Sequence, residues 1–102
     1  MPAGSTWAPV MAWWYSLRVS QHARERMEER RVSLDDVLEA LEDPVQIVYD
    51  SEEDVYLALG SNDIAVAYAA RGRVVEIVTV MRRREYEALV GRLQGRRYKV
   101  VY

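Results

Sequence analysis

Apolar and polar residues alternate along Tyr15-Ser16-Leu17-Arg18-Val19, the pattern of a half-buried strand. The period then changes. Ser20 suits a helix N-cap, and a helix is predicted from there to about Arg30, with Ala23 and Met27 on its buried side. Ser33 is a second N-cap, and Asp36 three residues on completes a capping-box-like start. The second helix carries Leu34, Val37, Leu38 and Leu41 as its apolar stripe and stops before Pro44.

From Val45 the period is two. Strands are predicted over Val45–Tyr49, Val55–Leu59, Ile64–Ala70 and Val74–Met81. Turns fall at Asp50–Asp54, Gly60–Asp63 and Arg71-Gly72. The run Val74–Met81 is the most apolar and is expected to be the central strand. Arg82–Leu93 reads as a helix with Tyr86, Leu89, Val90 and Leu93 on one side, ended by Gly95. Tyr98–Tyr102 alternates again, as a short strand or a pairing arm. The expected fold is α+β, ordered strand–helix–helix–antiparallel β-meander–helix, with the helices packed on one face of the sheet. The expected divisions are an N-terminal extension over 1–13, a single α+β domain over 14–93 and a C-terminal arm over 94–102.

Composition narrows the chemistry. The chain has 102 residues, is 50% hydrophobic and 29% charged, and contains no cysteine and one histidine. That suits one globular domain with a real core. It excludes disulfides, thiolate zinc sites and cysteine nucleophiles, and it argues against a histidine-based metal site. Neither a metal nor another cofactor is expected. No apolar run approaches the roughly 18 residues of a membrane span, and no basic stretch precedes the N-terminal apolar patch. The expectation is a cytoplasmic protein with no membrane partner.

The net charge of −2 conceals segregation. Residues 32–70 hold ten acids and no Lys or Arg, whereas residues 71–102 hold nine basic residues and three acids. A fold that gathers the basic ends on one face could attract a polyanion.

The strongest chemical signal is the first helix. His22, Arg26 and Arg30 recur every four residues, so with His22 at 0° the arginines fall near about 40° and 80°. They line the border of the face marked by Ala23 and Met27, where a cleft could form. Arg24, Glu28 and Arg31 lie on the far side. Arg30, nearest the apolar direction, needs a partner such as a carboxylate or carbonyl. The competing explanation is that Glu25 and Glu29 pair with the arginines at helical spacing.

Two further groups matter. Arg71 and Arg73 flank a turn. Thr79 is expected on the face of Val75, Ile77 and Met81, and Glu76 on the other, where it needs solvent, an arginine or a role as base. Arg82, Arg83 and Arg84 open a helix against its dipole, and Arg92, Arg96, Arg97 and Lys99 follow. A phosphate ligand or the acidic segment 35–54 would account for them. The acidic run Asp50–Asp54 lacks the glycine and glutamate of a calcium loop and reads as a solvated turn.

The run S-x-H-A-x-x-R-M-x-x-R-x-V-S at Ser20–Ser33, the acidic second helix ending at Asp43-Pro44 and the late strand Ile77–Val80 together resemble a known family. It comprises small bacterial and archaeal proteins of unknown function that open on S-x-H-A-x-x-R and finish on a threonine-bearing strand. The resemblance spans roughly residues 15–81. It implies kinship with RelE/ParE-like and barnase-like toxin folds. It also implies His22, Arg26, Arg30 and Thr79 as catalytic residues, and metal-independent RNA cleavage or inhibitory RNA binding as the activity. The chain departs from the pattern at Arg31, where the family commonly has glycine, and in its Trp-rich N-terminus.

Two functions are carried forward. One is a toxin-type endoribonuclease of a toxin–antitoxin-like system, with RNA and an antitoxin-like protein as partners. His22 would be its acid–base group, Arg26 and Arg30 its phosphate clamp, Thr79 an orienting hydroxyl, and Arg73 and Arg82 further substrate contacts. The other is a non-catalytic protein- or RNA-binding module. It would act with a partner or as a homodimer through Trp7, Trp13 and Trp14 or through the C-terminal arm. A winged helix-turn-helix is disfavoured, because Asp35, Asp36, Glu39 and Glu42 on the second helix would repel DNA.

Overall fold

A computed structural model describes residues 16–92 and 97–102. The predicted N-terminal extension with its tryptophans, the place of Tyr15 in the first strand, and Leu93 and Gly95 at the end of the last helix lie outside the described residues. The element order is β1 (Ser16–Val19), α1 (Gln21–Arg30), α2 (Leu34–Glu42), β2 (Pro44–Asp50), β3 (Val55–Gly60), β4 (Ile64–Arg71), β5 (Val74–Arg82), α3 (Arg83–Arg92) and β6 (Tyr98–Val100). The class is α+β, and the six strands form one mixed sheet in the order β1-β5-β4-β3-β2-β6.

The caps behave as their residue types require. Ser20 accepts a hydrogen bond from the Ala23 amide at 3.0 Å. Ser33 and Asp36 form a reciprocal capping box at 3.1 and 3.0 Å. Arg31 closes α1 in the left-handed region, at φ 54° and ψ 47°. This is the helix-end conformation in which glycine is usual. An arginine tolerates it less well.

β2 to β5 form the expected antiparallel meander. β1 joins β5 in parallel, and β6 joins β2 antiparallel. The most interior strand is β4 rather than β5: Ile64–Ala69 are all buried. β5 has β1 beside it only over Val74–Ile77, so Val78–Arg82 has no strand on that side among the described residues.

The helices do not share one face. α1 and α2 cover a core of Val37, Ile47, Val66, Tyr68, Val75 and Ile77. α3 lies on the opposite face, with Tyr86 and Val90 against Val48, Leu57, Leu59, Ala65 and Ala67. The strands supply apolar side chains to both faces, so each face needs cover. In α2, Leu34 is exposed and Ala40 takes its place in the core. Gly60 permits this, since a Cβ there would stand 2.5 Å from the Ala40 Cα.

One irregularity re-aims the site. The β4–β5 register shifts between Ala67↔Thr79 and Tyr68↔Ile77, leaving Val78 as an extra residue. Val75, Ile77 and Val80 belong to the α1–α2 face, whereas Val78 and Met81 belong to the α3 face. Thr79, paired with Ala67, thus leaves the face of Val75 and Ile77 on which strict alternation places it.

Candidate functional site

The open half of β5 is flanked on one face by α1 and on the other by α3. Ser20 fixes this junction. Its amide donates to the Ile77 carbonyl at 3.0 Å, and its hydroxyl donates to the Val78 carbonyl at 3.1 Å while capping α1. The first turn of α1 is thereby tied to the bulge, which sets His22 beside Thr79.

A cleft of about 450 Å³ opens there. His22, Arg26 and Arg30 line it from α1, Thr79 and Met81 from β5, and Glu85, Leu89 and Arg92 from α3. The sheet edge thus brings together His22, Arg26, Arg30 and Thr79, the four residues singled out together in the sequence. Arg26 Nε donates to His22 Nε2 at 3.4 Å, a long hydrogen bond in which that ring nitrogen is the acceptor.

The arginines have partners. Arg30 meets Glu85 side-on, with Nε to Oε1 at 2.8 Å and Nη2 to Oε2 at 2.5 Å. This carboxylate, 55 residues away in sequence, is the partner that Arg30 needs at the border of the core. Of the two rival carboxylates on α1, Glu29 pairs with Arg26 at 2.8 Å and with Arg30 at 3.1 Å. Glu25 instead accepts from Gln21. The hydrogen bonds from Arg30 hold the Glu85 carboxyl down at about 2, against the opposing effect of burial. Glu85 therefore stays ionised and is a poor proton acceptor near neutral pH. Among the described residues no carboxylate pairs with Arg92, so the α3 wall offers a free cation.

Arg82 and Arg73 lie elsewhere. Arg82 Nη2 donates to the Arg30 carbonyl at 2.5 Å, which ties β5 to the end of α1. Arg82 lines a neighbouring concavity with Asp63, Arg83 and Arg84, joined to the main cleft through Glu85. Arg73 sits in the β4–β5 hairpin, about 20 Å along the strand from Thr79 at the usual rise per residue. It does not line the cleft and cannot clamp a phosphate held there. Glu76, half-buried opposite Ala69, is not part of the cleft either, so a role as base there is set aside.

Glu85 was not singled out from the sequence. Its signal lay in the stripe Glu85, Ala88, Leu89, Arg92 along one side of α3, set three residues after Arg82 at a helix start. The Arg82 amide does donate to Glu85 Oε1 at 3.0 Å, as a capping carboxylate accepts. The run Asp50–Asp54 also differs from a solvated turn. Asp50 is buried and gripped by Arg97, with Nε to Oδ1 at 2.8 Å and Nη2 to Oδ2 at 2.9 Å. For Arg97 the acidic segment is thus the explanation of the charge.

Among the described residues, no group of three His, Cys, Asp or Glu is placed to hold a metal ion. No described helix is long and apolar enough to cross a membrane.

Fold and cleft together define a small α+β protein with a histidine and arginines gathered at the open half of a sheet edge. Residues 19–82 match the model of a family described as a domain of unknown function (DUF4258), and the chain belongs to that family. The matched span contains His22, Arg26, Arg30 and Thr79 but stops before the α3 wall of the cleft. No curated protein and no solved structure matches the chain.

Proposed function

We propose that the cleft binds RNA and cleaves a phosphodiester without a metal, as the toxin of a toxin–antitoxin-like system in the cytoplasm. The observation that carries this reading is the convergence of His22, Arg26, Arg30 and Thr79, from two elements nearly 60 residues apart in sequence, in one open cleft with Arg92 opposite. RNA supplies its own nucleophile. The 2′-hydroxyl attacks the adjacent phosphorus, the bond to the 5′ oxygen breaks, and a 2′,3′-cyclic phosphate forms. His22 Nε2, an acceptor for Arg26 in the free protein, takes the 2′-hydroxyl proton. Water protonates the departing 5′ oxygen. Arg26 and Arg92 bind the phosphate oxygens and stabilise the charge that grows on them, and the Thr79 hydroxyl orients the phosphate. Arg30, clasped by Glu85, holds α1 against α3 and adds its charge to the cleft. The kinship with RelE/ParE-like and barnase-like toxins implied by the opening motif points the same way, as analogy.

The test is incubation of the full chain with RNA in excess chelator, beside His22→Ala. Cleavage by the wild type alone, and growth arrest on its expression, are expected. Equal inactivity of both proteins with no effect on growth contradicts the reading.

A second reading is favoured by the other end of the sheet. Among the described residues β6 is the last strand of the sheet, and Val100 and Val101 are exposed there. Such an edge can accept a strand from an antitoxin-like protein or from a second copy of this chain. In this reading the cleft binds RNA without cutting it, or serves only to hold α1 to α3. Cleavage that depends on His22 excludes it as the whole function, whereas tight RNA binding without turnover supports it.

A further inference from the structure

The cleft does not end at Thr79. His22, Thr79, Met81 and Leu89 also line a second groove, of about 230 Å³, that runs across the α3 face of the sheet. The two hollows differ in chemistry. The cleft wall carries arginines, while the groove floor is Leu57, Ala67 and Val78, with Tyr98, Glu53 and the Arg97–Asp50 pair at its far end. The floor exists for two local reasons. The bulge turns Val78 and Thr79 together toward this face, and Ala67, the residue paired with Thr79, adds only a methyl group to the floor.

Size and shape limit the occupant. The groove is smaller than the roughly 300–1,000 Å³ of sites that hold drug-sized ligands, and it suits a single ring system. An apolar floor offers nothing to a phosphate but matches the flat face of a base. The ring that enters must be attached to something anionic, because the groove opens into the cleft of Arg26 and Arg92.

We propose that this groove is a nucleobase subsite, which takes one unstacked base of a single-stranded RNA whose adjoining phosphate lies on Arg26 and Arg92, beside His22. The proposal rests on the RNA-binding reading of the cleft. A base in a duplex is stacked and paired, and it cannot reach a floor at the side of a sheet without leaving its helix. The subsite therefore makes the protein selective for unpaired RNA. It also concentrates any base preference at one position, while the arginines bind backbone of any sequence.

The test uses the full chain and a labelled ten-residue RNA that is 2′-O-methylated throughout, so that it binds but cannot be cut. A second probe of the same length and charge lacks all bases. Val78→Phe and Ala67→Val each raise the floor of the groove at a different point, and circular dichroism shows which of them folds. The RNA with bases is expected to bind the folded filled variants roughly tenfold more weakly than the wild type. The probe without bases is expected to bind wild type and variants alike, and Arg26→Ala to weaken both probes. If Arg26→Ala weakens both probes but filling the groove changes neither, the subsite is wrong and the cleft reading stands. If neither probe binds, or Arg26→Ala changes nothing, the cleft reading fails and the subsite falls with it.

Discussion

Arg30 and Glu85 join the two faces of the sheet around its edge. Arg30 ends the helix on one face, Glu85 lies in the first turn of the helix on the other, and two parallel hydrogen bonds of 2.8 and 2.5 Å connect them. The clasp ties the α1 and α3 walls of the cleft together and occupies one guanidinium with a carboxylate. Glu85→Gln removes the charge and keeps the shape. It is expected to lower stability by about 1 kcal/mol, the scale of a partly exposed bidentate pair, and to tighten RNA binding by freeing Arg30. Urea unfolding and fluorescence anisotropy at pH 7 measure the two effects, which run in opposite directions. Weaker RNA binding by a folded Glu85→Gln protein would place the carboxylate among the ligand contacts.

The same pair sets a pH dependence with a definite sign. The Glu85 carboxyl is held at about 2 in the folded protein, against 4.5 for the free group. Its contribution is therefore fully present above about pH 4.5 and is lost as the pH falls toward 2. The difference in urea midpoint between wild type and Glu85→Gln is expected to be constant from pH 5 to 7 and to shrink toward zero near pH 2. Asp50 and Asp36, whose carboxyls are also held below their usual range, titrate in both proteins and cancel in the difference. A difference that grows on acidification contradicts the assignment.

Arg97 fastens the C-terminal strand to the end of β2. Burial alone would raise the Asp50 carboxyl. The hydrogen bonds from Arg97 and from the Glu52 and Glu53 amides outweigh it and keep the group ionised. Arg97→Ala strands that charge and is expected to lower the denaturant midpoint, by less than for a fully enclosed pair because Arg97 keeps 25% of its side-chain surface exposed. Adding Asp50→Asn to Arg97→Ala is expected to restore part of the loss. Denaturant midpoints of the single and double variants decide this, and strictly additive losses would show that the pair is not coupled.

Arg31 stands in a left-handed backbone, the conformation that glycine adopts most readily. A left-handed L residue costs about 1–2 kcal/mol, and glycine returns part of that gain through its greater freedom when unfolded. Arg31→Gly is thus expected to stabilise the fold by about 0.5–1 kcal/mol, read as a rise in melting temperature. Arg31 is exposed and outside the cleft, so RNA binding should not change.

Local signals in the sequence located the elements because each is set by a few neighbouring residues. Ser20 and Ser33 capped the helices, Pro44 stopped the second one, and the two-residue period of Val45–Met81 produced the meander. The angular position of His22, Arg26 and Arg30 beside Ala23 and Met27 was equally local, and it placed all three along the cleft. What remained hidden depended on long-range placement. The run Val74–Met81 holds no glycine or proline to signal a bulge, so the turn of Thr79 to the α3 face had no mark at Val78. The crossing of α3 to the second face follows from strands that are apolar on both sides, a feature that period-two reading of each strand alone understates. Glu85 and Asp50 looked like ordinary surface acids, because their arginines lie 55 and 47 residues away.

The central claim is that His22 moves a proton from an RNA 2′-hydroxyl. A DNA oligonucleotide that contains a single ribose tests it, since only one position can react by this route. In excess chelator, the wild type is expected to cut once, on the 3′ side of the ribose, and to leave a 2′,3′-cyclic phosphate. His22→Ala is expected to do so roughly 10²–10⁴-fold more slowly, the usual contribution of a general acid–base group. Equal rates for the two proteins, or cutting of the all-deoxy strand, would contradict the account.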